Sequence, residues 1–455
     1  MKSLKHQRNI WNSKKPALSP SQIIVLGFLT LIFVGALLLS LPVASVQGEA
    51  TDFLDAVFTS TSAVCVTGLV VRDTGTYWSC FGKTVIILLI QVGGLGFMSL
   101  ATVGAILMGK KISFRERMLI QESLNQNRTE GIVRLSRNIF LGTLLIEAIG
   151  ALLLSLVFVP DFGLKKGIAY GIFHSISAFC NAGFDLMGNY GSMMRYVSNP
   201  LLNFTLIGLI IAGGLGFAVI FELIRKERFR KLSLHSVIVL TMTAALILIP
   251  YILFFIMEHD NPETVGSMNF MEKSVAILFQ TVSPRTAGFN TLPLESLRDG
   301  SKFLTVLLMF VGGSPASTAG GVKTVTLAVL LLAVGGLITG KKELEVRKRR
   351  ISHETINKSL TVVVLGMTFL LTGTMLLSMT EIRQDFLSLL FEAGSAAATV
   401  GLTLGVTPTL SSAGKLIVIF LMFSGRVGAL TILLAPSGRE KPQRYRFAEE
   451  KVIVG

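Results

Sequence analysis

The sequence predicts an all-α polytopic membrane protein built from four copies of one unit: span, half-length helix, extended return, span. Three observations predict it. First, the 455-residue chain is 51% hydrophobic and only 15% charged, with a mean hydropathy of +0.66; a soluble chain carries roughly a quarter charged residues. Second, apolar runs such as Ile23–Leu41 and Phe204–Ile224 recur, and each is long enough to cross ~30 Å of hydrocarbon as a helix. Third, a glycine-ended motif returns four times, with its glycines 115, 105 and 113 residues apart, a spacing that marks internal repeats. The runs do not alternate in polarity as β-barrel strands do.

Taken in order, residues 1–20 form a basic N-terminus holding Lys2, Lys5, Arg8, Lys14 and Lys15. The apolar run after it is longer than the ~7–15 residues of a signal-peptide core, so it is expected to stay as the first span. Unit 1 covers 21–110. A linker and unit 2 cover 111–225, a linker and unit 3 cover 226–340, a linker and unit 4 cover 341–436, and 437–455 is a tail. Basic clusters mark the boundaries: Lys110, Lys111, Arg115 and Arg117; Arg225, Lys226, Arg228, Arg230 and Lys231; Lys341, Lys342, Arg347, Lys348, Arg349 and Arg350. The formal charge of +15 is concentrated there. Basic loops face the cytoplasm, which puts both termini inside. Topology accounts for this charge without nucleic acid, with anionic lipid head groups or a cytosolic partner as its candidate counterparts.

Within the units the motifs read STSAVCVTGL (60–69), SISAFCNAGF (175–184), QTVSPRTAGF (280–289) and AGSAAATVGL (393–402). The stretch Asp52–Ser62 before the first glycine would reach roughly 16 Å as a helix, about half the bilayer. The chain must then return to the face it came from, so the element is a re-entrant hairpin. Non-helical backbone at that depth is tolerated only inside protein or along a watery cavity. A desolvated monovalent cation needs oxygen ligands, and backbone carbonyls supply them without a trapping charge. Glycine takes the required dihedrals at least cost, and the negative end of each short helix points the same way. The expected ligand set is the backbone of Val66, Thr67 and Gly68; Asn181, Ala182 and Gly183; Thr286, Ala287 and Gly288; Thr399, Val400 and Gly401. Together they would hold a desolvated alkali cation at one central pore flanked by eight spans and four re-entrant loops. The alternative for glycine is close helix packing. That suits the repeated Gly93-Gly94-Leu95-Gly96-Phe97 and Gly213-Gly214-Leu215-Gly216-Phe217, whose fourth-copy counterpart reads as Ser424-Gly425-Arg426-Val427-Gly428.

The second span of unit 3 departs from the pattern. It runs over about 302–337, which as one helix would reach roughly 54 Å, too long for the hydrocarbon core. Its middle, Gly312-Gly313-Ser314-Pro315-Ala316-Ser317-Thr318-Ala319-Gly320-Gly321, cannot hold a regular helix. A loop at mid-membrane is expected, beneath the glycines, where it would obstruct passage; a kinked helix at a crowded interface is the alternative. Lys323 follows, with a local pairing role as its alternative. Arg426 falls near mid-bilayer, where lipid exposure costs at least ~2.5–3.5 kcal/mol. It is expected to form a barrier with the loop or to pair with a buried acid, for which Glu147 is a candidate.

Other signals are weaker. Cys65, Cys80 and Cys180 have no metal spacing, and the matching places of Cys65 and Cys180 favour packing. His174, in the second short helix, is expected to be packed or hydrogen-bonded. Two near-matches to a phosphate loop, Gly104–Lys111 and Gly335–Lys342, lack the Ser/Thr and end spans. No paired acids or nucleophile–base set suggests an enzyme, and no cofactor is expected in the chain itself.

Taken together, TSAVCVTGL, SAFCNAGF, TVSPRTAGF and AATVGL, with QVGGLGFM, GGSPASTAGGVK and FSGRVG, resemble the Ktr/Trk/HKT superfamily of potassium transporters over nearly the whole chain. The likeness is greatest to the membrane subunit, B or D type, of bacterial Ktr systems. The resemblance implies K+ uptake or symport in a bacterial inner membrane, with Na+ as candidate activator. It also implies a homodimer above a cytosolic ring of nucleotide-binding regulatory subunits (A or C type), and a gate at 312–321. Glycine in all four motifs, where serine at the first goes with Na+ preference in the family, implies K+. A non-selective Na+/K+ channel, or another monovalent cation transporter, is the alternative.

Overall fold

A computed structural model describes residues 19–96, 131–225, 232–340 and 343–434 without 348, together with 102, 104, 116–118, 121 and 450. The N-terminal basic stretch, most residues of the basic clusters and the tail lie outside these residues.

Four helices among the described residues are long and apolar enough to cross a membrane: α1 (Pro20–Ser40), α4 (Ile132–Phe162), α8 (Leu234–Glu258) and α12 (His353–Thr380). Their starts are written locally. Ser19 Oγ accepts the Gln22 N–H at 3.2 Å while Gln22 Oε1 accepts the Ser19 N–H at 2.9 Å, a reciprocal cap that satisfies two orphan donors. Ser233 and Ser352 cap α8 and α12. Along α4 the buried side is Thr143, Glu147, Gly150, Leu154 and Phe158, whereas Leu141, Leu145, Leu152 and Leu156 are exposed. This inverted amphipathicity, apolar outward, is what lipid contact demands.

Four short helices follow the long ones: α2 (Phe53–Val64), α5 (Leu164–Phe179), α9 (Phe270–Val282) and α13 (Phe386–Ala397). Twelve residues of α2 rise ~18 Å, short of a crossing. Then come second helices: α3 (Cys80–Leu95), α6 (Pro200–Leu215) continued by α7 (Phe217–Arg225), α10 (Asp299–Phe310) with α11 (Thr324–Ile338), and α14 (Ser412–Val427) with α15 (Ala429–Leu434).

The second helix stops in every copy, not in the third alone. In the third the break is the segment between Phe310 and Thr324. In the others a single glycine in the left-handed region stops the helix: Gly96 (φ 78°), Gly216 (φ 86°) and Gly428 (φ 92°). At Gly216 the axis turns by 103°. The sequence reading gave these glycines to packing alone; their missing Cβ is what lets the backbone turn there at low cost. A second difference is a two-stranded antiparallel hairpin, β1 (Leu344–Val346) with β2 (Arg349–Ile351), pairing Leu344 with Ile351 and Val346 with Arg349. The chain is therefore mostly, not wholly, helical.

The helices meet in chain order around a circle: α3 packs on α5, α6 on α9, α10 on α13, and α14 back on α2. The last seam carries an ion cluster built on a buried carboxylate. Asp55, at 3% side-chain exposure, receives Arg72 Nε at 2.8 Å and Lys415 Nζ at 2.6 Å. Its desolvation is offset by two opposite charges and well-formed bonds. The core beside the circle is aromatic, with Phe58, Phe179, Phe184, Phe279, Phe289 and Phe391 fully buried.

Candidate functional site

Each short helix ends in the same backbone figure. The residue two before the motif glycine is left-handed in all four copies: Val66 (φ 57°), Asn181 (φ 56°), Thr286 (φ 76°) and Thr399 (φ 52°). The glycines are too: Gly68 (φ 94°), Gly183 (φ 69°), Gly288 (φ 79°) and Gly401 (φ 96°). Positive φ at β-branched Val66, Thr286 and Thr399 is costly, of order 1–3 kcal/mol each, and persists only where surroundings over-determine it. A serine does so in each copy. Gly68 N–H and Gly401 N–H donate to Ser62 Oγ and Ser395 Oγ, both at 3.0 Å. Ser177 Oγ donates to the Phe184 carbonyl at 2.7 Å, and Ser283 Oγ to the Phe289 carbonyl. The carbonyls of the same serines receive the Thr67, Ala182, Ala287 and Val400 N–H groups at 2.8–2.9 Å. Sequence reasoning missed this serine set, although Ser62, Ser177 and Ser395 stand at one shared offset from their glycines.

The four glycines close a ring. A Cβ at Gly68 would lie 3.0 Å from Gly183 Cα, one at Gly183 2.9 Å from Gly288 Cα, one at Gly288 3.3 Å from Gly401 Cα, and one at Gly401 3.0 Å from Gly68 Cα. The carbonyl oxygens of Thr67, Ala182, Ala287 and Val400 each reach the glycine of a neighbouring copy. Four chemically equivalent oxygens thus surround one point, and no side chain beyond hydrogen fits between them. The residues after the glycines, Leu69, Phe184, Phe289 and Leu402, are buried behind the ring.

Beneath the ring the copies diverge. Gly93, Gly213 and Gly425 sit against the last carbonyls of their short helices, Val64, Phe179 and Ala397, where a Cβ would collide. This contact sets the register: Gly425 answers to Gly93 and Gly213, Gly428 to Gly96 and Gly216. Arg426 therefore occupies the place of Gly94 and Gly214, one position off the pairing drawn from the sequence.

The helix breaks decide what Arg426 touches. A helix end leaves its last carbonyls without partners. In unit 1 those of Gly93 and Gly94 take up Arg426 Nη2, the latter at 3.0 Å, while Arg426 Nη1 donates to the Thr318 carbonyl. In unit 2 the 312–321 loop meets the same need. Ser314 N–H donates to the Gly214 carbonyl at 2.9 Å, Thr318 N–H to Gly213 at 3.2 Å, and Thr318 Oγ1 to Phe179 and Gly213, both at 3.1 Å. Phe217 N–H in turn donates to Ala316 at 3.2 Å, and Pro315 lies over Gly216. The base of the loop is closed by Gly312 N–H to the Val322 carbonyl at 3.0 Å and Ser314 Oγ to Thr324 Oγ1 at 3.0 Å. Ala316 (φ 56°) and Gly321 (φ 64°) make its turns.

Lys323 pairs within the loop, donating to the Ala319 and Gly320 carbonyls at 2.6 and 3.4 Å. Glu147 is not the partner of Arg426: its carboxylate receives Gln91 Nε2 at 3.1 Å and faces Cys180 Sγ at 3.9 Å. Backbone oxygens had already satisfied the guanidinium. His174 is a hydrogen-bonded core residue. Its Nε2 accepts the Leu186 N–H at 3.1 Å, so Nδ1 carries the proton shared with Tyr170 O at 2.7 Å. Cys65, Cys80 and Cys180 are free thiols.

The family model described as "Cation transport protein" matches residues 1–443. The chain is 43% identical over 437 residues to "Ktr system potassium uptake protein B" of Bacillus subtilis, covering 96% of this chain and 97% of that protein. It is 41% identical over 444 residues to "Potassium/sodium uptake protein NtpJ" of Enterococcus hirae, covering 96% and 98%. The crystal structure of the potassium transporter TrkH from Vibrio parahaemolyticus shares the fold, with a TM-score of 0.74 at 19% identity, covering 94% of this chain and 86% of that one. A glycine ring closed by four repeated hairpins, in a chain so matched along its length, leaves one conclusion: the protein belongs to the TrkH family of cation transport proteins.

Proposed function

We propose that the chain is the K+-translocating membrane subunit of a Ktr-type uptake system. The observation that carries this is the closure of Gly68, Gly183, Gly288 and Gly401 into one ring of equivalent carbonyls, since such a ring replaces a hydration shell without fixing a charge. Relatives across the whole length are named potassium uptake proteins, which supports K+ as cargo. The 312–321 loop, with Arg426 and Lys323, is the gate in this reading. It crosses beneath the ring and is held by bonds that one conformational change would release together. Movement follows the electrochemical gradient, and a negative interior supplies about 2.3 kcal/mol per 100 mV for each monovalent cation.

The subunit works as a homodimer in a bacterial inner membrane, both termini cytoplasmic, above a cytosolic ring of nucleotide-binding regulatory subunits. The Ktr-system names of its relatives support the existence of such partners. A second reading, transport of Na+ beside K+, is favoured by the potassium/sodium name of the Enterococcus hirae relative. Uptake of 86Rb+ into vesicles holding the purified protein tests both. Flux that K+ displaces and Na+ does not supports the first. Equal displacement supports the second, and no flux with a regulatory ring present overturns both.

A further inference from the structure

Behind the second hairpin lies a polar pair. Glu147, on α4 and 5% exposed, accepts Gln91 Nε2 of α3 at 3.1 Å. Cys180, fully buried at the end of α5, donates its thiol to Gln91 Oε1 at 3.7 Å and faces Glu147 Oε1 at 3.9 Å. The repeat shows what other copies hold at these places. Ser60 Oγ donates to the Ile32 carbonyl at 2.7 Å and Ser175 Oγ to the Glu147 carbonyl at 2.6 Å, so Ile32 is the counterpart of Glu147 in unit 1. Counting two back from Gly213 and Gly425, Ile211 and Phe423 are the counterparts of Gln91 in units 2 and 4. Where those copies bury apolar side chains, the seam between units 1 and 2 has an amide and a carboxyl. Burying polar groups costs free energy unless they are paired, and a paired set fixes its members in one geometry as apolar contacts do not.

We propose that Gln91 and Glu147 are positioning residues for the selectivity of the ring. They set where the second hairpin places the Ala182 carbonyl, through hydrogen bonds and not through charge. Cys180 precedes Asn181 and Ala182, and the Ala182 oxygen is the one that meets Gly68 in the ring. Helix α3 bears directly on the thiol, since a Cβ at Gly94 would lie 2.7 Å from Cys180 Sγ. Gln91 stands two residues before Gly93, whose carbonyl with that of Gly94 holds Arg426. The pair thus ties a ring hairpin to the helix end that holds the gate arginine. Charge plays no part, because among the described residues no cation pairs with the carboxyl. Helix α6 carries no charged residue. On α5, His174 is engaged by Tyr170 and Leu186, and Lys165 and Lys166 stand in the first turn. On α3, Lys83 donates to the Gly75 carbonyl. Arg134 and Arg137 stand at the start of α4, and Arg426 is taken up by carbonyls. The inference rests on the ring being the cation path, as proposed above.

The experiment reconstitutes full-length protein in vesicles and reads the K+/Na+ ratio from displacement of 86Rb+ uptake, with Tm as a second measurement. Glu147→Ile and Gln91→Ile copy the apolar counterparts in other units. Each should lower the ratio about fivefold, roughly the worth of one hydrogen bond, and each should lower Tm by leaving its partner unpaired. The double variant Gln91→Ile/Glu147→Ile leaves neither group unpaired, so Tm should recover while the ratio stays low. Glu147→Gln keeps an oxygen for the Gln91 amide, and its ratio should stay within about twofold of the unaltered protein. A ratio that recovers with Tm in the double variant, or that never falls, reduces the pair to packing and overturns the inference. A Glu147→Gln ratio as low as that of Glu147→Ile overturns it too, by making charge the agent. In either case uptake by the unaltered protein still supports the proposed function. No uptake by the unaltered protein, with a regulatory ring present, overturns that function and this inference together.

Discussion

The glycine ring and the layer beneath it descend from the same repeat and have been treated in opposite ways. In the ring every copy keeps the same left-handed pair, a serine anchor and the same carbonyl at its neighbour's glycine. Below, Gly94 and Gly214 stay small, the equivalent place in the fourth copy is Arg426, and the third copy inserts a loop. Symmetry suits an ion, which needs equal oxygens around it. Obstruction suits asymmetry, since one arginine and one loop can fill an axis that four identical groups would either crowd or leave open.

The largest effect should come from breaking the symmetric layer. Gly68→Ser or Gly288→Ser places a Cβ 2.5 Å from the carbonyl oxygen of Ala182 or of Val400. Rescue of K+-uptake-deficient bacteria at limiting K+ should fail, with 86Rb+ flux down about a hundredfold. Flux unchanged by either serine would sink the idea of a carbonyl ring on the cation path.

Next comes the asymmetric layer. Arg426→Gly restores the residue that stands in copies one and two and removes three carbonyl contacts. Flux in vesicles should rise about tenfold with the K+/Na+ ratio unchanged. A changed ratio would mean that the two layers are not separable. A smaller effect is expected at the anchors. Ser62→Ala and Ser395→Ala each remove one bond to a ring N–H, worth ~1 kcal/mol, and should lower the K+/Na+ ratio a few-fold while flux persists. Lys323→Met should do least, under about threefold in flux, because Lys323 binds only carbonyls of its own loop. An effect matching that of Arg426→Gly would make Lys323 an equal partner of Arg426 in the gate, not a support for its loop.

The ring was legible in the sequence because it is local. Four motifs end on glycine at a near-constant spacing, and every residue that forms the ring sits within six places of its helix end. Three of the serines were as legible, at a fixed offset, but a serine in a short helix attracts no notice until its partner is seen. The layer below was not legible in the same way. The fourth copy was paired one residue out, since Ser424-Gly425-Arg426-Val427-Gly428 can be matched to GGLGF in two registers by letters alone. Only the contact of Gly425 with Ala397 decides between them. Glu147 looked like a partner for Arg426 by charge, whereas the nearer solution was backbone.

By itself the sequence pointed to a helical membrane chain, a glycine-ended motif in four places after short helices, and an interrupted segment at 312–321. These follow from composition, period and the refusal of glycine and proline to extend a helix. The tertiary structure alone decided that the second helices of all copies stop short, and that these ends free the carbonyls of Gly93, Gly94, Gly213 and Gly214. It also decided that a guanidinium from the fourth copy and a loop from the third take them up. Hydrogen bonds between copies depend on distances across the circle of helices, and no spacing along the chain encodes those.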